Sequence, residues 1–305
     1  MKKFIALLAL FFMIILLDGC FLSPPSNRFQ IVTTIFPQYD FTRQVVGDLA
    51  DIKMLLLPGQ DTHSYDPSTQ DIISIKKADL FIYSGEHMEI WAKTIIESLP
   101  KTVQVLDVSK GIELSEINHD DDDGHEGHEH HFDPHIWTSP LNAKKIVENI
   151  RDKMVEIDFE NKDIYLNNAS NYLNELELLD QEFLAVVNNK VRDTLYFAAP
   201  FAFFYFVERY DLKYKAVYST CSTETDPSID DIILFIKEIN ENQIPVIYIK
   251  ELLTNTVASK IAKDTNTDMV LLHSAHNVSK EEFIDGITYL DIMRNNVKAL
   301  MRGVQ

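Results

Sequence analysis

Apolar residues fall along the chain in two alternating rhythms. Short runs rich in β-branched residues occupy 30–35, 52–57, 79–83 and 103–108, and again 194–199, 215–219, 246–250 and 269–273. These runs are almost continuously hydrophobic, as expected of parallel strands buried on both faces. Between them, apolar residues recur at helical spacing. Ile229, Ile232, Ile233, Ile236 and Ile239 follow Asp226-Pro227-Ser228, a helix start. Phe283, Ile287, Leu290, Met293, Val297 and Leu300 mark a terminal helix. The stretch 161–187 keeps its period through Leu173, Leu176, Leu179, Phe183 and Val187 with no Gly or Pro inside. The pattern predicts an α/β fold of two lobes, at 29–160 and 190–305. Each would hold a four-stranded parallel sheet flanked by helices, and one long rigid helix at 161–189 would join them. Ligands bind such sheets beyond the carboxyl ends of the strands, so the polar residues just after each strand are the first candidates.

Two segments stand outside this rhythm. Lys2 and Lys3 precede an apolar run at 4–17, then Leu17-Asp18-Gly19-Cys20. The run is short for a bilayer span and suits a secretory signal at 1–19. A small residue followed by cysteine resembles the lipobox of bacterial lipoproteins, although Asp18 departs from the usual residue there. Cleavage would leave lipid on Cys20 and a short tether at 20–28 containing Pro24 and Pro25. The chain has two cysteines, so Cys221 would then stand alone, either buried or bound to something. The second segment, 118–131, reads NHDDDDGHEGHEHH. Its composition cannot pack a core and predicts a solvated loop. The net charge of −19 argues against a nucleic-acid partner, which requires a basic footprint.

The ten histidines are placed where chemistry is expected. Six lie between His119 and His135, His63 follows the second run, and His273 and His276 follow the last. Imidazole is the commonest ligand of zinc and its neighbours, and such ions need three or four donors converging on one point. In the second lobe the available donors are His276, His273, Cys221 and Glu224. The two histidines rank first because they share one turn after a strand. Cys221 also reads as a buried small hydrophobe, and Glu224 as a helix-capping group. Asp133 is positioned to orient a neighbouring ligand. Glu86 and Glu89 offer the same orienting role but read first as a solvated face, and the aromatics of 201–206 read as core. The tract histidines His119, His125, His128, His130 and His131 form a weak auxiliary metal loop at most.

Several of these segments are family-like. GQDTHSYDPS (59–68) and DPHIWTSP (133–140) resemble the zinc and manganese solute-binding proteins of bacterial ABC importers, as do MEIW (88–91), STETDPS (222–228) and YLDIMRNNVKAL (289–300). An acidic, His-rich insert before DPH is typical of the zinc-type members. The resemblance implies two α/β lobes bridged by a rigid helix, with metal held in the cleft between them. It matches His63 and His135 to the two histidines contributed by the first lobe. It fails at 199–204: many members carry a histidine there, whereas this chain reads APFAFF. The usual acidic ligand after the last strand falls at or near His273. The second half-site is therefore expected to be rebuilt from the donors named above.

The resemblance thus implies an extracytoplasmic, lipid-anchored binding protein, not an enzyme, which captures Zn2+ in preference to Mn2+. Its partners would be an ABC permease with its ATPase, the membrane through the N-terminal lipid, and no nucleic acid; the protein itself would be a monomer. Nitrogen-rich donors favour zinc over manganese, and because neutral imidazoles are required, affinity should fall as pH drops through about 6.5. An adhesin or metallochaperone would share the same cleft. A zinc hydrolase would need an open coordination position and a base, and the chain has no HExxH.

Overall fold

The computed structural model describes residues 28–60, 65–116, 132–218 and 226–305. All eight apolar runs form strands in two all-parallel sheets. The first sheet holds β1 (Phe29–Thr33), β2 (Ala50–Met54), β3 (Leu80–Tyr83) and β4 (Gln104–Asp107) in the order β2-β1-β3-β4. The second holds β5 (Thr194–Phe197), β6 (Lys213–Ala216), β7 (Val246–Ile249) and β8 (Asp268–Leu271) in the order β6-β5-β7-β8. Strand order therefore reverses between β1 and β3, and again between β5 and β7, which are the positions where such sheets bind ligands.

The strands stop earlier than the apolar runs do. Leu55 and Leu56 lie beyond β2 yet stay buried, their amides donating to the carbonyls of Thr33 and Thr34. Burial outlasts the regular ladder, so hydrophobicity overshoots the strand end.

Ten helices complete the described residues: α1 (Phe36–Val46), α2 (Thr69–Lys77), α3 (Ala92–Glu97), α4 (Pro140–Ile157), α5 (Lys162–Val187), α6 (Phe204–Arg209), α7 (Ile229–Glu241), α8 (Thr256–Thr265), α9 (Lys280–Ile284) and α10 (Tyr289–Val304). Two differ from the sequence reading. The terminal helix does not start near Phe283. The chain breaks after α9 at Gly286, whose φ of +75° an L side chain rarely adopts, and α10 restarts with a capping box between Thr288 and Asp291. In α7 the core face is Phe235 and Ile239, while Ile229 and Ile233 are exposed.

The 26 residues of α5 bury Tyr165, Ala169, Tyr172, Leu176, Leu179 and Phe183 on one face, at alternating spacings of three and four. At 1.5 Å per residue the helix runs about 39 Å, and it packs on α1 and α4 of the first lobe and on α10 of the second. One hydrophobic core passes through both lobes: Ile31, Phe41 and Trp137 belong to the same cluster as Phe197, Tyr289 and Leu300. Each sheet carries a smaller cluster on its other face. Separating the lobes would expose apolar surface at about 25 cal/mol per Å2, which makes wide opening costly.

Asp40 of α1 stitches this arrangement together. Its buried carboxylate accepts from Arg43 Nε at 2.6 Å, from Tyr172 Oη of α5 at 3.3 Å, and from the Tyr289 amide of α10 at 2.8 Å. Arg43 in turn donates to the Ile287 carbonyl at 2.7 Å.

Candidate metal centre

Two imidazoles from opposite lobes meet beyond the strand ends. His135 lies in a short turn (Ile136–Thr138 follows it) just ahead of α4, and His276 lies in the turn after β8. Their rings are 5.2 Å apart, centroid to centroid, and almost perpendicular at 88°. Trp137 packs against both, at 5.5 Å from His135 and 4.9 Å from His276. Its indole Nε1 donates to the Ser274 carbonyl at 2.8 Å, which fixes the second-lobe turn against the first lobe.

The orientation of His135 is set by Asp133. One carboxylate oxygen accepts from the His135 amide at 2.7 Å and from ring Nδ1 at 2.9 Å. With its proton held on Nδ1, the ring has Nε2 as its donor atom, the usual carboxylate–histidine–metal arrangement. Both residues are buried. Across the cleft Tyr205 of α6 donates to the Asp133 carbonyl at 2.8 Å. The expectation that the aromatics of 201–206 form core holds for Phe201, Phe203, Tyr205 and Phe206.

His273 and His276 share a turn but not an environment. Ala275 between them adopts φ +57°, a left-handed conformation uncommon for alanine, and this kink separates the two rings. The Nδ1 of His273 accepts from the Ala275 amide at 2.9 Å, so its neutral ring carries its proton on Nε2. That Nε2 is buried without a hydrogen-bond partner among the described residues, 4.0 Å from the Glu282 carboxylate. Asn296 holds the His273 backbone through both its amide and its carbonyl. Glu251 accepts from the Ser274 amide and hydroxyl. His273 is thus part of the scaffold under the turn, and His276 is the ring aimed at His135.

Among the described residues, no three His, Cys, Asp or Glu side chains gather into a metal-binding group. His63, Cys221 and Glu224 lie outside the described residues, as do Cys20, the signal and tether through residue 27, and His119, His125, His128, His130 and His131 of the acidic tract. The neck of that tract is described: Glu116 and Phe132 pair in an antiparallel bridge, one residue ahead of Asp133.

One sequence reading is corrected here. Glu89 is not on a solvated face. It is 3% exposed at the switch point of the first sheet, accepting from the Thr34 hydroxyl and from the Ser84 amide at 2.9 Å. Gln38 completes the cluster through a hydrogen bond to the Ser84 hydroxyl. Burial pushes the Glu89 carboxyl up to about 8, outweighing those two hydrogen bonds. Between its ordinary value and about 8 the folded protein holds a proton that the unfolded chain has lost, so this group removes stability as pH rises through that window. Glu89→Gln keeps an acceptor for Ser84 and has no charge to bury. Its melting temperature should match the wild type near pH 5 and exceed it by a gap that widens up to about pH 8 and then levels off. A pH-independent gap in paired thermal melts would contradict the assignment.

Comparison with known proteins follows the same lines. A family model described as zinc-uptake complex component A, periplasmic (ZnuA), matches residues 31–303. The high-affinity zinc uptake system protein ZnuA of Bacillus subtilis is 32% identical over 279 residues, covering 90% of this chain and 87% of that protein. The zinc-binding lipoprotein AdcA of Streptococcus pneumoniae is 31% identical over 98% of this chain, which spans only 60% of AdcA's length. The Zn(II)-bound ZnuA-like domain of that AdcA superposes with a TM-score of 0.78 at 29% identity, covering 91% of this chain and 99% of the domain.

Proposed function

The chain belongs to the ZnuA family, the periplasmic A components of zinc-uptake complexes, and on that premise we propose that it captures a zinc ion between its lobes for delivery to an ABC-type membrane importer. The family is one of solute-binding proteins rather than enzymes, and zinc is its cargo. The observation that carries the reading is the meeting of His135 and His276 across the cleft, backed by Asp133 and walled by Trp137.

In this reading the Nε2 of His135 and the His276 ring are two of the donors. His63 is the third, in keeping with its place in the motif at 59–68. Cys221 and Glu224 are the remaining candidates for a fourth, and His273 supports the turn without ligating. A set rich in imidazole suits zinc better than manganese, which prefers oxygen donors. The acidic tract gathers zinc weakly, and lipid on Cys20 holds the protein at the outer face of the membrane, next to a permease and its ATPase.

Delivery follows from the chemistry of the site. Asp133 keeps the His135 proton on Nδ1, so the donor nitrogen is ready without rearrangement. Trp137 and Tyr205 tie the two lobes together around it and exclude water. The shared core confines motion to small shifts of the strand-end turns. Native mass spectrometry of stripped protein, reloaded with zinc and manganese in competition, should show one retained zinc per chain. A stripped protein that takes up no zinc, or keeps manganese instead, would overturn the proposal.

A further inference from the structure

We infer that Asn277 is a clasp across the cleft, a positioning residue that fastens first-lobe residues 57–60 to the turn presenting His276 and thereby sets how fast zinc leaves. The inference rests on the zinc-capture reading above.

Asn277 is 2% exposed and reaches across the lobe boundary. Its Nδ2 donates to the Leu57 carbonyl at 2.9 Å and to the Gln60 carbonyl at 2.9 Å. Its Oδ1 accepts from the Val278 amide at 2.9 Å, which fixes the rotamer. The Val278 carbonyl accepts from the Gly59 amide at 2.8 Å. The segment 57–60 is thus held from the second lobe by three hydrogen bonds, two from one side chain.

Among the described residues, no other hydrogen bond reaches this segment from outside it. The Leu57 side chain is 56% exposed, and Gly59 and Gln60 are exposed as well. Within the segment, Leu57 and Gln60 bond to each other, through the Gln60 amide and its side-chain oxygen. Gly59 sits at φ +83°, a turn that glycine permits. The segment follows the buried Leu56, and past that residue its position among the described residues depends on the clasp.

The chemistry requires an amide. Only a group with two N–H donors and one acceptor on the same plane serves both carbonyls and the Val278 amide at once. A carboxylate would set oxygen against the Leu57 and Gln60 carbonyls. An alanine would leave those carbonyls without their donor.

Both ends of the clasp adjoin proposed donors in sequence: His276 immediately precedes Asn277, and His63 follows Gln60 by three positions. Other bonds between the lobes, among them Trp137 to Ser274, Tyr205 to Asp133, Arg43 to Ile287 and the Tyr289 amide to Asp40, do not touch 57–60. Loss of the clasp therefore loosens this segment while the main core and the long helix keep the lobes together.

The test uses the full mature chain as wild type, Asn277→Ala, Asn277→Asp and Asn277→Ser. Chelator capture by stopped flow on zinc-loaded protein should show dissociation about tenfold faster or more for Asn277→Ala and Asn277→Asp, the scale of losing buried hydrogen bonds. Asn277→Ser, which retains one donor, should fall between. Hydrogen exchange on metal-free protein should show the Gly59 amide exchanging faster in Asn277→Ala while the strands of both sheets stay protected, a local response that general destabilisation would not produce. Wild-type dissociation rates in a zinc-retaining Asn277→Ala would overturn the clasp and leave the zinc reading intact. A wild type that retains no zinc would defeat the zinc reading. The exchange measurement then decides the clasp's fastening of 57–60 alone, and unchanged protection at Gly59 would overturn that part too.

Discussion

Zinc retention by a His276→Ala variant should fall by more than about 100-fold. Loss of a partner that merely orients a metal-ligating histidine costs about 10- to 100-fold in metal affinity, so loss of a donor should exceed that range. His276 faces His135 at 5.2 Å and shares the Trp137 wall with it, so its loss removes one of the two described rings that meet across the cleft. His273 provides the comparison. Its Nδ1 is engaged by the Ala275 amide and its ring sits beside Glu251 and Glu282. His273→Ala should therefore show at most the smaller effect of an orienting group. Competition against a chelator of known zinc affinity measures both variants on one scale. The reverse order, with His273→Ala the more damaging, would show that the wrong ring of the turn has been assigned.

The largest effect on stability is expected at Asp40. Asp40→Ala removes the acceptor shared by Arg43, Tyr172 and the Tyr289 amide, all in or near the core between the lobes. Removing one partner of a buried ion pair costs roughly 3–5 kcal/mol. Arg43 remains 28% exposed and still reaches the Ile287 carbonyl, so the lower end, about 3 kcal/mol, applies. Urea denaturation should show a lower midpoint with an unchanged slope, since the surface exposed on unfolding stays the same. Because Asp40 joins α1, α5 and α10, the unfolding transition should remain single. Two separated transitions would mean that the lobes are independent units.

Most of the architecture could be read from the spacing of apolar residues, because a parallel sheet buried on both faces writes itself as continuous hydrophobic runs. Its errors have local causes. The stripe Phe283, Ile287, Leu290 continues helical spacing across the break at Gly286, so periodicity hid a break that the Thr288–Asp291 capping box could have revealed. Glu89 looked solvated because its partners Thr34 and Ser84 are supplied by the ends of two other segments. The sequence leaves open which of His273 and His276 faces His135, because the left-handed conformation of Ala275, which divides them, is carried by a residue that rarely adopts it. Asn277 gave no signal at all, since its value lies in two carbonyls more than 200 positions away.

The common core has a consequence for how the chain acquires its structure. Leu300 and Val304 are fully buried in the same cluster as Ile31 and Phe41, and the amide that satisfies Asp40 belongs to Tyr289. The first lobe is thus unfinished until α10 arrives, and a nascent chain would present a raw apolar surface where that helix belongs. Such contacts, remote in sequence, delay the cooperative step until α10 has been made and keep the polypeptide pliable until then.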